Sequence, residues 1–278
     1  MKPQKKPVIS IVVGSYQRNN FLQATINSVR TELKNIDHEI IVIDGGSTDG
    51  SLKWLLNQKD IVSIVQHNRG EIFGRKVAQR SWGYFMNLGF KCAQGKYICM
   101  LSDDCLVLPN SILNGINLFE KSLGKLMKVG AIAFYWRNWP HQKEYVVGKT
   151  WGDNFFVNHG IYLKEALQEI DYIDEDAYHF YHADGDICMR LLEHGYTCID
   201  SPTSFIEHYY DATEEIRSSN LSKQPQDWQT YTNRWRHKFG VPTEDWKAST
   251  FVDPNNFAEK FFPEKQRGFL AQLFRLIK

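Results

Sequence analysis

Apolar residues recur along the first hundred positions in two alternating rhythms. Val8-Ile-Ser-Ile-Val-Val13 is a short, nearly continuous apolar run, which predicts a buried strand. Phe21 to Leu33 instead spaces its apolar residues three and four apart, as on one face of a helix. Glu39-Ile-Ile-Val-Ile43 predicts a second buried strand, Ser51 to Asn57 a helix, and Ile61 to Val65 a third strand. A long amphipathic segment runs to about Lys91, and Lys96-Tyr-Ile-Cys-Met-Leu101 predicts a fourth strand. Strand and helix alternating at this interval predict an α/β fold, with a parallel sheet covered by helices on both faces. Ligands of such sheets bind at the carboxyl ends of the strands. Asp44-Gly-Gly-Ser-Thr-Asp-Gly50 and Ser102-Asp103-Asp104 both fall at those ends.

Beyond about residue 128 the pattern loosens. Val129 to Trp136 and Phe155 to Leu163 predict strands, and Asp184 to His194 predicts a helix closed by Gly195. From about Thr213 the chain turns polar and aromatic, with Trp228, Trp235 and Trp246 set among charges. This predicts a mostly helical extension over 213–278, packed on a unit spanning 1–212.

Composition narrows the function. The 278 residues carry a formal net charge of +1, which supplies no electrostatic footprint for nucleic acid. The five cysteines are odd in number and form no C-x-x-C pair, so buried free thiols in a reducing compartment are expected. The apolar run after Lys2, Lys5 and Lys6 is too short for a signal-peptide core, and no stretch reaches membrane-spanning length. A cytoplasmic location is the expectation.

The acidic clusters suggest chemistry. Adjacent carboxylates at Asp103 and Asp104 repel each other unless positive charge lies beside them, and carboxylate oxygens suit Mg²⁺ or Mn²⁺. Such a metal neutralises charge on a departing diphosphate. The alternative is a solvated turn. Asp44 precedes Gly45-Gly46, which permits close backbone approach to a ligand, and its carboxylate suits a nucleobase or ribose. The alternative is an Asx turn, which is the reading for Asp49.

Taken together, these segments resemble the family-2 glycosyltransferases of the GT-A fold. Ile9-Ser-Ile-Val-Val-Gly-Ser-Tyr-Gln-Arg18 resembles that family's opening strand and turn, and Asp44 to Ser51 its Asp-rich glycine segment. Asn87-Leu-Gly89 followed by Leu101-Ser-Asp-Asp104 resembles the approach to its metal-binding motif. Asp184-Gly-Asp-Ile-Cys-Met-Arg190 with Gly195-Tyr196 resembles its acceptor-side segment. The resemblance covers roughly residues 8 to 210.

It implies a Rossmann-like, nucleotide-diphospho-sugar transferase fold with a nucleotide-binding half over about 1–104 and an acceptor half over about 105–212. It also implies Mn²⁺ or Mg²⁺ as cofactor, a nucleotide-diphosphate sugar (UDP-sugar favoured) as donor, and a glycan or lipid-linked glycan as acceptor. Bacterial surface polysaccharide or glycolipid assembly is the implied setting. Tyr16 would line the base pocket, Asp44 bind base or ribose, and Asp103 contact the ribose or the metal shell. Asp104 would ligate the metal, His208 approach it, and Asp184 act as general base in an inverting displacement. On the residues alone, Asp184 reads as a helix N-cap. Asp186, two positions on, points elsewhere on the helix and is read as a helix N-terminal charge or a positioning residue.

Several positions depart from the family pattern. Gly14-Ser15 replaces Pro-Thr, Gln17 replaces Asn, Ala183 replaces a Glu, and Met86 replaces an Arg. The segment Asn68 to Phe85 is also longer than usual, and Arg69, Arg75, Lys76 or Arg80 is expected to restore the missing charge. A catalytically inactive sugar-binding module and a sugar nucleotidyltransferase are the competing readings. His159 is read as a structural histidine or a loop residue reaching the sugar, and Trp136, Trp139 and Trp151 as acceptor groove or core. The segment Arg267–Lys278 predicts a basic amphipathic helix that rests on an anionic membrane, packs on the domain or joins two copies.

Overall fold

A computed structural model describes residues 6–122, 128–139, 141–209 and 220–239, together with the backbone of 247–252. The expected helix over 267–278, and Trp246, lie outside the described residues.

The first hundred residues form β1 (Ile9–Ser15), α1 (Asn19–Glu32), β2 (His38–Asp44), α2 (Ser51–Leu55) and β3 (Ile61–Val65), followed further on by α3 (Trp82–Cys92) and β6 (Tyr97–Ser102). The long amphipathic stretch between β3 and α3 is not one element. It contains a small hairpin, β4 (Glu71–Ile72) and β5 (Arg75–Lys76), whose Phe73-Gly74 turn has positive φ at both residues.

Strands β3, β2, β1 and β6 lie parallel in that order, and β10 (Gly160–Leu163) runs antiparallel to β6. The sheet continues through β8 (Val129–Trp139) and β9 (Glu144–Gly148) to β12 (Lys247–Val252), with β9 antiparallel to both neighbours. The four strands expected to be parallel are parallel, and the sheet as a whole is mixed. Apolar periodicity marks burial and carries no strand direction, which depends on the connections. The expected strand from Phe155 shortens to the four residues of β10.

Registry fixes the site. Ser15 pairs with Asp44, Gly14 with Ser102, and Asp44 with Val65, so the parallel strands end along one edge. Side chains alternate along β1: Ile11 and Val13 join the core under α1, while Val12 faces the core under α3. A Cβ on Gly89 of α3 would lie 2.6 Å from both Ile43 Cδ1 and Val12 Cγ1, so only glycine lets α3 approach the sheet this closely.

Short strand β7 (Cys105–Val107) pairs with β11 (Thr197–Tyr209), which also runs parallel to β8. The β11 register shifts between Ser201 and Phe205, where Pro202 has no N–H for a ladder. Helix α4 (Ser111–Ser122) packs on β11 and β8, and α5 (Lys164–Glu169) follows β10. Helix α6 (Ala183–Glu193) ends as expected, with Gly195 at φ 78° and Tyr196 N–H donating to Leu191 O. Within 213–278 the described elements are α7 (Gln224–Phe239) and β12, the latter extending the main sheet.

Candidate active site

A cleft of about 760 Å³ opens at the carboxyl edge of the parallel strands. Tyr16, Asp103, Asp104, Asp184 and His208 all line it. Asp44 does not. It is fully buried, and its Oδ1 accepts from the backbone N–H groups of Gly46 (2.8 Å) and Ser47 (2.7 Å). That is an Asx turn shaping the floor, on which Gly45 lines the cleft. The other oxygen, Oδ2, is buried without a hydrogen-bond partner.

Asp103 and Asp104 follow β6 and are both buried. The positive charge beside them comes from the chain itself. Arg18 Nη1 donates to Asp103 Oδ1 and to Asp104 Oδ2, each at 2.8 Å. Burial works against the Arg18 charge, but the two carboxylates outweigh it and hold its pKa above the ordinary value. Burial raises the Asp103 carboxyl. It opposes ionisation of Asp104 too, yet His208 and Arg18 outweigh it and hold Asp104 well below the usual range.

The remaining oxygens, Asp103 Oδ2 and Asp104 Oδ1, are buried and have no hydrogen-bond partner. His208 Nε2 lies 3.4 Å from Asp104 Oδ1, while its Nδ1 is 2.9 Å from Asn138 Oδ1. Among the described residues no group of three or more His, Cys, Asp or Glu side chains forms a metal cage. Two unsatisfied carboxylate oxygens beside one imidazole still fit Mg²⁺ or Mn²⁺, which keep waters and phosphates in their shell. His159 is also in the cleft wall, and burial with His208 nearby depresses it to about 3, leaving it neutral.

Asp184 stands in the first turn of α6, and its Oδ1 accepts from Gly185 N–H at 2.9 Å. Burial raises its carboxyl pKa. His182, whose own pKa burial lowers, takes the αL cap position at φ 64°. Asp186 has a structural role: fully buried, it accepts from Tyr178 OH, Trp235 Nε1 and Arg190 Nε, tying α6 to α7.

Several contributors were not legible beforehand. Asp227 of α7 is fully buried and accepts from the backbone N–H groups of His179, Phe180 and Tyr181 at 2.8–2.9 Å. It thus clamps the loop leading into Asp184, and nothing local in its sequence announces this. Glu207 pairs twice with Arg137 at 2.8 Å across β8 and β11, fixing the strand that carries His208. Arg18 stood inside the opening motif without an assigned role.

The departures also find their places. Gln17 accepts from Thr48 and Asp49 N–H, tying two loops outside the cleft lining. Asp49 opens α2 by accepting from Ser51 N–H and also accepts from Asn19 N–H at the start of α1. Of the four basic candidates, Arg69 and Arg80 line the cleft, and Arg75 and Lys76 do not. The Arg69 guanidinium lies 5.5 Å from the Tyr16 ring centroid and donates to Asn220 Oδ1. Asn87 binds Ile173 and Glu175 rather than facing the cleft. Trp136, Trp139 and Trp151 are not in the lining; its aromatic wall is Tyr16, Trp82, Phe180, Tyr181 and Tyr231, with Phe85 and Phe156. Four cysteines are buried and free as expected, whereas Cys92 is exposed at the end of α3.

This mixed sheet, with helices on it and a cleft at its carboxyl edge, is similar in fold to glycosyltransferases of GT-A type. Residues 10–180 match Glycosyl transferase family 2, and the chain belongs to that family. An uncharacterized glycosyltransferase of Rickettsia prowazekii (strain Madrid E) is 31% identical over 116 residues, which is 41% of this chain and 33% of that protein. Chondroitin synthase of Escherichia coli is 29% identical over 117 residues, 40% of this chain and 15% of the synthase. The chain thus matches a third or less of the length of these curated relatives.

Among solved structures, the mannosyltransferase PcManGT of Pyrobaculum calidifontis, in complex with GDP-Man and Mn²⁺, superposes with a TM-score of 0.59 at 15% identity. That match covers 86% of this chain and 67% of PcManGT. TarS 1–349 of S. aureus, in complex with UDP-GlcNAc, gives 0.55 at 14% identity, covering 76% and 60% of the two chains. These likenesses are of fold. Among the described residues no helix is long and apolar enough to cross a membrane.

Proposed function

We propose that the chain moves a sugar from a nucleoside-diphosphate donor to a glycan hydroxyl with inversion, using a divalent cation at Asp103 and Asp104 and Asp184 as base. The observation that carries this reading is that a half-buried carboxylate with raised proton affinity shares one cleft with a buried acid pair having two unsatisfied oxygens.

Asp104 and His208 would hold Mn²⁺ or Mg²⁺, with Asp103 completing its shell or meeting the ribose. When bound, the cation supplies positive charge against the diphosphate as it departs. Asp184 takes the proton from the acceptor hydroxyl as attack proceeds; its burial strengthens it as a base. Tyr16, with the Arg69 guanidinium over its ring, would line the base pocket. The Asx turn of Asp44 holds the Gly45-Gly46 backbone where a nucleoside would lie.

A uridine nucleotide is the favoured donor, and a glycan or lipid-linked glycan of a bacterial surface polysaccharide the favoured acceptor. The PcManGT and TarS complexes, which hold GDP-Man and UDP-GlcNAc, support a nucleotide-sugar donor in general. A thermal-shift screen of nucleotide sugars with Mn²⁺ and Mg²⁺ tests the reading. Metal-dependent stabilisation by a nucleotide sugar is expected, and no shift with any of them would contradict it.

A further inference from the structure

The acid pair already holds a cation of its own. One nitrogen, Arg18 Nη1, bridges the two carboxylates at 2.8 Å to each, and the three side chains are 14%, 5% and 2% exposed. A guanidinium keeps its charge at any working pH, so this cation is permanent. Its Nη1 meets one oxygen of each acid, leaving Asp103 Oδ2 and Asp104 Oδ1 buried without a hydrogen-bond partner, the latter 3.4 Å from His208 Nε2. Arg18 immediately precedes α1, and its carbonyl accepts Leu22 N–H in the first helical turn, so its backbone is anchored.

We propose that Arg18 is a positioning residue that makes occupancy of the metal site depend on the donor's diphosphate. This rests on the function proposed above. With His208 neutral, as a metal ligand must be, the two carboxylates and one guanidinium carry a formal charge of −1. A divalent cation arriving alone over-neutralises it to +1, next to a buried positive charge that repels it. A diphosphate brings the missing negative charge, so cation and nucleotide each strengthen the other's binding. By linkage, the factor is the same in both directions. Without Arg18 the acid pair alone carries −2, which a divalent cation matches without help.

The experiment is a titration of Mn²⁺, followed by electron paramagnetic resonance of the free ion, on the full chain with and without UDP or GDP. The wild type is expected to bind Mn²⁺ weakly alone and at least about tenfold more tightly with one of the nucleotides. Arg18→Gln is expected to bind Mn²⁺ alone about tenfold more tightly than the wild type, with little further gain from nucleotide. Arg18→Lys keeps the charge, so the coupling should persist; this variant decides the matter where Arg18→Gln does not fold.

A folded Arg18→Gln that binds Mn²⁺ alone no more tightly than the wild type overturns the inference. Loss of coupling in Arg18→Lys overturns it equally. In both cases wild-type Mn²⁺ binding with nucleotide leaves the proposed function standing. Absence of any Mn²⁺ binding by the wild type, even with nucleotide, overturns both.

Discussion

The Nδ1 of His208 lies 2.9 Å from Oδ1 of Asn138 on the neighbouring strand. Asn138 Oδ1 can only accept, so Nδ1 carries the hydrogen and Nε2 is the nitrogen turned to Asp104. A ring held this way by an outer partner can release its other proton and ligate a metal. Asn138→Leu is therefore expected to weaken Mn²⁺ affinity by about tenfold or more, measured by calorimetry in the presence of nucleotide. Unchanged affinity would remove His208 from the metal's surroundings.

Asp184 makes function and stability pull apart. Burial raises its carboxyl pKa, so the folded chain holds this proton more tightly than the unfolded chain. The stability it contributes is full below the unfolded aspartate value and is lost as pH rises through the raised folded value. Asparagine resembles the protonated form. Asp184→Asn is expected to abolish transfer, to leave nucleotide binding intact and to keep or raise the melting temperature at neutral pH. A base must be unprotonated, so wild-type transfer should fall as pH drops through the same raised value.

The clamp from α7 is a stability element with a functional consequence. Removing the Asp227 carboxylate leaves three backbone N–H groups without their acceptor. Asp227→Ala is expected to lower unfolding free energy by about 2–4 kcal/mol in urea titrations. It should impair transfer more than nucleotide binding, because the loop it holds leads into Asp184.

Gly46 tests the turn that carries Gly45 into the cleft wall. Its φ is +91°, and a Cβ there would lie 2.3 Å from His67 Nδ1. Gly46→Ala is expected to cost about 1–3 kcal/mol of stability, read from thermal unfolding, and to weaken nucleotide binding with it.

How much of this was legible in the sequence follows from which interactions are local. Strands β1, β2, β3 and β6 announce themselves because each is an apolar run ended by turn chemistry, and the acids after β2 and β6 inherit their positions. The glycine after α6 is equally readable. Direction is not: β10 reverses the sheet, although Gly160–Leu163 carries the same apolar signal as a parallel strand. Long-range partners stay hidden for the same reason. Asp227 meets its amides 46 to 48 residues away, and Arg18 meets Asp104 across 86. Gln17 shows the limit from the other side, since a departure from the family pattern turns out to brace a loop.

The central claim is that the Asp103–Asp104 pair binds a donor's diphosphate through a divalent cation. Calorimetric titration of UDP and of GDP into the wild type and Asp104→Ala, with Mn²⁺ and again with EDTA, tests it most directly. The account predicts binding of at least one nucleotide by the wild type with Mn²⁺, lost in EDTA and lost in Asp104→Ala. Equal affinity with Mn²⁺ and with EDTA would contradict it.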